Sequence, residues 1–242
     1  MEQVSPHLQH LVVCSTTKSL NATSVLEDVT YPVIVEALLV HKNPPHRFTI
    51  YPQITLRWKP TNPSNIRSEN PDVGLVNFRA DRPFDYRLGI ESKSFMDRVM
   101  AGLPHPDIVA SKLEVQHVLW EAYLQAEDQA KAVVRGEHLP QQHPLNYLLF
   151  VGPYWTHVAL GPFDWENLAI RTHKESPSGD WAADWRAKMR LRQEPVYRKL
   201  WLVGTLESQR KMEEVISSTE DYGRIGMLES GNFKPGQEFM LQ

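Results

Sequence analysis

Two carboxylates and one amine in the first half of the chain have types and a spacing that could hold a metal ion beside a phosphate. The run PDVGLVNF begins with Pro71-Asp72, and the later run RLGIESKS contains Glu91-Ser92-Lys93. Magnesium favours oxygen ligands, usually one or two carboxylates together with water and phosphate oxygens. Asp72 and Glu91 could therefore bind Mg²⁺ or Mn²⁺, with the backbone carbonyl of Ser92 as a further ligand. Lys93 could orient or help to deprotonate a water that attacks a phosphodiester.

The two runs, 71–78 and 87–94, are predicted to be strands that pair with each other. Side chains of a strand alternate between its faces, so Glu91 and Lys93 share a face with Gly89. The leucine and isoleucine of the same run point to the opposite face, into packing. Burying Glu91 and Lys93 without partners would cost free energy. A metal, a phosphate and the aspartate across the hairpin would supply those partners.

Periodicity and turn residues predict the elements that position these groups. YPVIVEALLVHK (31–42) is a nearly apolar helix, and Pro32 suits its first turn because the missing N–H would be unpaired there. RFTIYPQITLRW (47–58) is predicted to be a strand, with Pro52 marking a bend or an edge. Segment 61–71 is a polar loop that leads into the first strand of the site.

The middle of the chain continues with a loop over 100–108 and then a helix. Ser111 and Glu114 match a capping box, in which the serine caps the helix and the glutamate bonds back to it. The helix is therefore predicted to run from Ser111 to about Arg135. NYLLFVGPYWTHVALGPF follows as two strands that a Gly-Pro dipeptide separates.

Further elements are predicted toward the two ends. LVVCST (11–16) could be a short strand, and helices are predicted near 180–193 and 206–220. The element order is then helix, three strands, helix, two strands and further helices. This order predicts an α/β layered unit around a mixed central sheet.

Composition limits the class of protein. The 242 residues are 41% hydrophobic and 23% charged, which suits one α/β domain with additions or two small domains. Because the formal net charge is −3, nucleic-acid binding would need a local basic face. The one cysteine, Cys14, excludes an intramolecular disulfide and a cysteine zinc cluster. Without a long apolar run or a signal-peptide pattern, we expect an intracellular protein, in the nucleus or cytoplasm, with no membrane partner.

The Pro-Asp and Glu-Ser-Lys pattern resembles the PD-(D/E)XK nuclease superfamily, whose fold is restriction-endonuclease-like. Asp72, Glu91 and Lys93 are the matching positions. The resemblance covers about residues 25–163, as an αβββαβ core. QAEDQAKAVV followed by LLFVGPYW is also similar to nuclease-like domains of fungal proteins. The chain would then divide into an N-terminal segment (1–24), this core and a C-terminal helical, basic extension packed on the core (164–242).

The resemblance implies a metal-dependent nuclease that hydrolyses phosphodiester bonds, in DNA more than in RNA. An acidic residue of the first helix often joins the metal site in this superfamily, and Glu36 is the matching position. Many members place a glutamine on the helix after the second motif, which makes Gln125 and Gln129 candidates. A homodimer is plausible by analogy. The alternative is a catalytically silent member of the fold that binds nucleic acid or a protein partner.

The C-terminal part leaves two interpretations open. Segment 186–199 carries six Lys or Arg against one Glu, with Trp181, Trp185 and Tyr197 nearby. Cationic and aromatic groups mixed in this way are typical of nucleic-acid surfaces. An amphipathic helix with a solvated basic face would have the same composition. A protein-interaction role built on the tryptophan-rich half is a third hypothesis.

Overall fold

The protein has a mixed α/β fold in which helices cover both faces of a six-stranded sheet. The computed structural model describes residues 4–21, 30–41, 48–58, 67–77, 84–93, 102–136, 144–163 and 199–219. The helices are α1 (Pro6–Asn21), α2 (Tyr31–Leu39), α3 (Pro106–Ala110), α4 (Leu113–Arg135) and α5 (Leu206–Ser218). The strands are β1 (Thr49–Pro52), β2 (Leu56–Trp58), β3 (Arg67–Glu69), β4 (Val73–Asn77), β5 (Asp85–Lys93), β6 (Leu145–Val151), β7 (Tyr154–Leu160) and β8 (Trp201–Leu202).

The sheet is mixed, with the strand order β1-β4-β5-β6-β7-β8. β5 and β6 run parallel, and the other described neighbours in this sheet are antiparallel. Parallel neighbours need a crossover connection, and the long helix α4 lies between β5 and β6 in the chain. β2 and β3 form a separate antiparallel pair. The predicted mixed central sheet is therefore confirmed.

One hydrophobic cluster lies on each face of the sheet. One contains Tyr147 and Leu149 of β6 and buried alanines of α4, such as Ala126 and Ala130. Small side chains on this helix face let α4 lie close to the sheet. The other cluster joins the opposite face, including Ile90, to residues of α1, α2 and α5. The two side-chain faces of β5 therefore meet different helices.

A β-bulge in β5 decides which residues meet which helices. Leu75 pairs with Leu88 but Val76 pairs with Tyr86, so Arg87 is the extra residue. Tyr86 consequently packs in the α4 cluster, whereas Leu88 packs in the cluster of α1, α2 and α5. Because side chains normally alternate, the bulge resets the faces for the rest of the strand.

The bulged arginine links the sheet to the end of α5. Arg87 is 2% exposed, and its Nε donates to the Thr219 carbonyl at 3.2 Å. A terminal guanidinium nitrogen donates to Thr219 Oγ1 at 3.2 Å. The guanidinium carbon also lies 5.9 Å from the centre of the Phe48 ring. These contacts satisfy a buried cation through hydrogen bonds and an aromatic face.

The first helix corrects the prediction for LVVCST. A short strand was expected there, but the segment lies inside α1. Ser5 Oγ accepts from the backbone N–H of Leu8, and Pro6 starts the helix, which are both helix-start signals. Leu8 and Val12 are buried one turn apart, and Thr16 donates back to the Val12 carbonyl. This helical spacing outweighs the short β-branched run.

Other boundaries also differ from prediction. Ser111 does not cap α4, because its hydroxyl donates to the Ile108 carbonyl of the preceding helix, α3. α3 itself occupies part of the loop predicted over 100–108. Lys112 takes the N-cap position and makes no side-chain hydrogen bond that caps the helix, so the capping-box prediction is wrong. The predicted strand 47–58 is two strands in different sheets, and β3 lies in the predicted polar loop 61–71. The helix predicted near 206–220 is confirmed as α5.

Several predictions fall outside the described residues. These are the helix near 180–193, Trp181 and Trp185, Tyr197, and the basic segment 186–199 apart from Lys199. In the described ranges, no helix is both long enough and apolar enough to cross a membrane.

Candidate metal and phosphodiester site

Asp72 lies just before β4, and two hydrogen bonds hold its carboxylate. The Tyr31 hydroxyl, at the first position of α2, donates to Oδ1 at 2.8 Å. The backbone N–H of Ser92 in β5 donates to Oδ2 at 2.7 Å. Both distances are those of strong hydrogen bonds to a charged acceptor. The carboxylate is therefore fixed from a helix on one side and from the neighbouring strand on the other.

Glu91 is held in a matching way on the α4 side of the sheet. Lys93 Nζ donates to Glu91 Oε1 at 2.8 Å, and Gln129 Nε2 donates to Oε2 at 2.7 Å. Glu91 is 3% exposed and Gln129 is 4% exposed. The predicted shared face of Glu91 and Lys93 is confirmed. Gln129 reaches them because α4 crosses directly over this part of the sheet.

The register of the sheet brings the two halves of the pattern together. Val73 pairs with Ile90, so one further antiparallel step sets Asp72 opposite Glu91. The pKa of Glu91 is raised to about 7, because burial raises it, the Lys93 charge opposes this rise and the Asp72 charge adds to it. A buried carboxyl beside a second carboxylate prefers its neutral form unless a cation is near. The site therefore has a deficit of positive charge that Lys93 only partly offsets.

Two buried tyrosines form the wall next to Glu91. Tyr86 and Tyr147 have hydroxyl oxygens 3.5 Å apart and ring centres 6.3 Å apart. Burial raises the pKa of both hydroxyls, and the Glu91 charge adds to this. They therefore remain protonated donors at neutral pH. Gly89 lies against the Tyr147 ring, where an added Cβ would sit 2.1 Å from the nearest ring carbon.

The structure brings together most of the predicted site residues, with one exception. Asp72, Glu91, Lys93 and Gln129 converge, and Ser92 joins through its backbone N–H. Within the described ranges, no three His, Cys, Asp or Glu side chains lie close enough to form a metal-binding group. Among the described residues, the acidic residue predicted on α2 is therefore not grouped with this pair as a third carboxylate.

That residue is Glu36, which is partly buried on α2. Tyr31 of the same helix contacts Asp72 instead. The two positions are five residues apart, which puts them on different faces of an α-helix. Of the two glutamines considered on α4, Gln129 bonds to Glu91, and the part of the chain that the structure describes shows no such bond for Gln125.

The donor set suits a divalent cation with oxygen ligands. Two carboxylates are enough for Mg²⁺, which usually completes its octahedron with water and phosphate oxygens. Each carboxylate oxygen accepts one described hydrogen bond, and each has a second lone pair. Gln129 Oε1 is buried and accepts no bond from the described residues, so it adds an unused polar atom beside Glu91. Asp72 and Glu91 would hold the ion.

Tyr31 contacts one of the predicted carboxylates, and no sequence pattern predicted this. It lies 41 positions before Asp72, and no spacing rule connects the two. The available signal was Pro32, which marks the helix start and so the position of Tyr31 at its N-terminal end. The chain matches no protein-family model, no curated protein and no solved structure.

Proposed function

We propose that this protein is a metal-dependent nuclease of the PD-(D/E)XK type that hydrolyses phosphodiester bonds, in DNA more than in RNA. Its restriction-endonuclease-like core would comprise α2, the strands from β1 to β5, α4 and β6. The cofactor would be Mg²⁺ or Mn²⁺. The proposal concerns the site of Asp72, Glu91 and Lys93, with Gln129 as a supporting residue.

One observation carries the proposal: the 2.7 Å hydrogen bond from the Ser92 N–H to Asp72 Oδ2. This bond ties the Pro-Asp half of the pattern to the Glu-Ser-Lys half. Residues distant in sequence thus supply two carboxylates and one amine to the same end of adjacent strands. The raised pKa of Glu91 supports a cation site, because ionising a buried carboxyl beside a second carboxylate is costly without added positive charge.

Each residue has a role that follows from its contacts. Asp72 and Glu91 would hold the cation, which would supply Lewis acidity toward water and phosphate oxygens. Lys93 Nζ, released from Glu91 Oε1, would bind the attacking water or the phosphate. Gln129 keeps the Glu91 carboxylate oriented through its bond to Oε2. Tyr31 does the same for Asp72, and such outer contacts tune metal ligands.

The test is a cleavage assay on supercoiled plasmid and on labelled single-stranded DNA and RNA, with Mg²⁺, Mn²⁺ or EDTA. Asp72→Asn, Glu91→Gln and Lys93→Met should each lower the rate by about 100-fold or more, because each removes a charge used in the reaction. Glu121→Gln is the matched control, since Glu121 lies on α4 with its side chain 49% exposed. This variant should cut at the wild-type rate.

Either result is decisive when the wild-type protein is shown to be folded. Metal-dependent cutting that the three site variants lose and the control keeps would establish the activity and its site together. Cutting that survives Asp72→Asn and Glu91→Gln would assign the activity elsewhere. No cutting of any substrate with either metal would reject the nuclease proposal.

A second candidate function is a catalytically silent nuclease fold that binds nucleic acid or a protein. Its supporting observation is that all four oxygens of Asp72 and Glu91 already accept hydrogen bonds of 2.7–2.8 Å. Such a network could be purely structural. Isothermal titration with Mn²⁺ separates the two functions, because a silent network would bind no ion at Asp72 and Glu91.

A further inference from the structure

A cleft of about 470 Å³ lies at the β8 edge of the sheet, apart from the site of Asp72 and Glu91. Residues 103–107, residues 199–202, Thr205 and Glu207 line it, and Trp201 is its aromatic surface. Its volume is in the range of binding pockets for small molecules. We call it the Trp201 cleft.

Trp201 is half-buried and is held firmly from behind. Its ring centre lies 4.9 Å from that of Trp155, which is fully buried. The Trp155 indole N–H donates to Ser208 Oγ at 2.8 Å, which fixes this second ring. The fold therefore holds the Trp201 ring rigidly, so little conformational entropy of this side chain is lost when a ligand binds.

The ammonium groups of two lysines lie over this ring, so a ligand that stacks on Trp201 takes the place of a lysine. Lys199 Nζ is 5.4 Å and Lys211 Nζ is 6.0 Å from the Trp201 ring centre. Lys199 also pairs with Glu207 at 2.8 Å, and both side chains are more than half exposed. Exposed ion pairs contribute little free energy, so Lys199 can exchange this carboxylate for a phosphate at low cost.

The cleft opens at the same end of the sheet as the candidate site. The Gly152 N–H donates to the Lys93 carbonyl at 3.0 Å, so the end of β5 adjoins the β6–β7 turn. Tyr154, which starts β7, pairs with Leu202 of β8, and its hydroxyl donates to the Pro104 carbonyl at 2.7 Å. Three strand spacings separate β5 from β8, or roughly 14 Å. Trp201 packs with the cluster of α1, α2 and α5, whereas Glu91 faces α4, so a strand that reached both would cross this end of the sheet.

We propose that the Trp201 cleft binds a base of single-stranded nucleic acid, which stacks on Trp201 while Lys199 contacts a flanking phosphate. Aromatic side chains with adjacent cations are how proteins hold single strands without reading sequence. The carboxylates of Asp107 and Glu207 at the cleft can accept from amino groups of a base. A paired base in a duplex keeps both faces stacked, so the cleft selects an unpaired strand. As a substrate-positioning subsite, this inference rests on the proposed nuclease function.

The test measures the affinity of the full chain for a short labelled single-stranded oligonucleotide by fluorescence anisotropy, in EDTA to prevent cutting. Trp201→Leu should weaken binding by about 5- to 150-fold, the range found when one stacking residue is removed. Trp201→Phe keeps a ring and should lose much less. Tyr51→Leu is the matched control, because Tyr51 is an aromatic residue 40% exposed on the opposite edge strand. It should bind as the wild type does.

A second measurement needs no variant and guards against unfolding of Trp201→Leu. The wild-type protein is photocrosslinked to the same oligonucleotide carrying 5-bromouracil, and the adduct is mapped by mass spectrometry. An adduct at Trp201 supports the inference, and adducts confined to other segments overturn it. Wild-type affinity in a folded Trp201→Leu variant overturns it too, as does an equal loss of affinity for duplex.

The binding results and the cutting results can fail separately. Asp72→Asn should abolish cutting but keep the dependence of oligonucleotide binding on Trp201. Binding that depends on Trp201 in a protein that never cuts would reject the nuclease and keep the cleft as a single-strand binding site.

Discussion

Adding one methyl group at Gly89 should disturb the candidate site from inside the sheet. A Cβ at this position would lie 2.1, 2.3 and 2.6 Å from three ring carbons of Tyr147. Non-bonded carbons normally stay about 3.5–4.0 Å apart, so the contact is short by roughly 1.4 Å. Tyr147 is fully buried, and its hydroxyl adjoins that of Tyr86, so the ring has little room to withdraw.

Gly89→Ala should therefore lower the free energy of unfolding by about 2–3 kcal/mol, the upper part of the range for an overpacked core. Alanine's smaller loss of backbone entropy on folding would return at most about 1 kcal/mol. Urea denaturation followed by circular dichroism measures the difference. Gly102→Ala is the matched control, because nothing lies within 4 Å of its added Cβ. It should stay within about 0.5 kcal/mol of wild type.

A double-mutant cycle tests the cause. Tyr147→Val removes the ring and keeps a strand-forming residue, so adding Gly89→Ala to it should cost little. The coupling energy should recover about 2 kcal/mol. Additive costs would show that the ring is not what excludes a side chain at Gly89. A Gly89→Ala variant as stable as Gly102→Ala would refute the packing of Tyr147 against β5.

Three more perturbations probe the site and its support. Tyr31→Phe removes the hydroxyl donor to Asp72 and should weaken Mn²⁺ binding by about 10–100-fold in isothermal titration; unchanged affinity would exclude a positioning role. Arg87→Met should lower the free energy of unfolding by about 2–3 kcal/mol, because two hydrogen bonds from a charged donor are lost. Urea denaturation measures the difference, and Arg210→Met, at an exposed position of α5, is the control that should leave stability nearly unchanged. Because the pKa of Glu91 is raised in the folded protein, its contribution to stability is present below pH 4.5 and is lost as the pH rises through about 7. In EDTA, the wild type should therefore lose stability relative to Glu91→Gln between these pH values, which pH-dependent melting measures. Added Mn²⁺ should abolish that loss, and a pH-independent difference would contradict the burial of an ionisable Glu91.

The carboxylates of the site are held by hydrogen bonds, whereas the Lys93 side chain is partly exposed to solvent. Lys93 is 15% exposed at its side chain, and Glu91 is 4% exposed, so the pair lies at the boundary between core and solvent. A buried ion pair of this kind contributes little net stability, because desolvation offsets the attraction. Its net contribution to stability therefore gives little reason for an ion pair at this position.

The local features of the site were predictable from the sequence. Alternation along β5 put Glu91 and Lys93 on one face, because a strand's period of two is a property of the backbone itself. The apolar run after Asp72 and the Gly-Pro break between β6 and β7 were equally local signals. The capping prediction failed because Ser111 lies between two helices, and its hydroxyl bonds to α3 instead of capping α4.

Tertiary structure decided which side chains complete the site, including which of the two candidate glutamines contacts Glu91. Tyr31 bonds to Asp72 across 41 positions, Gln129 to Glu91 across 38, and Arg87 to the end of α5 across 132. Each of these contacts depends on how far one element slides and turns against another. Hydrophobic burial drives that packing without direction, so a sequence pattern can state which face is buried but not which partner it meets. The sequence thus determined the carboxylates and the amine of this protein, and the packing of α2 and α4 on the sheet determined what holds them.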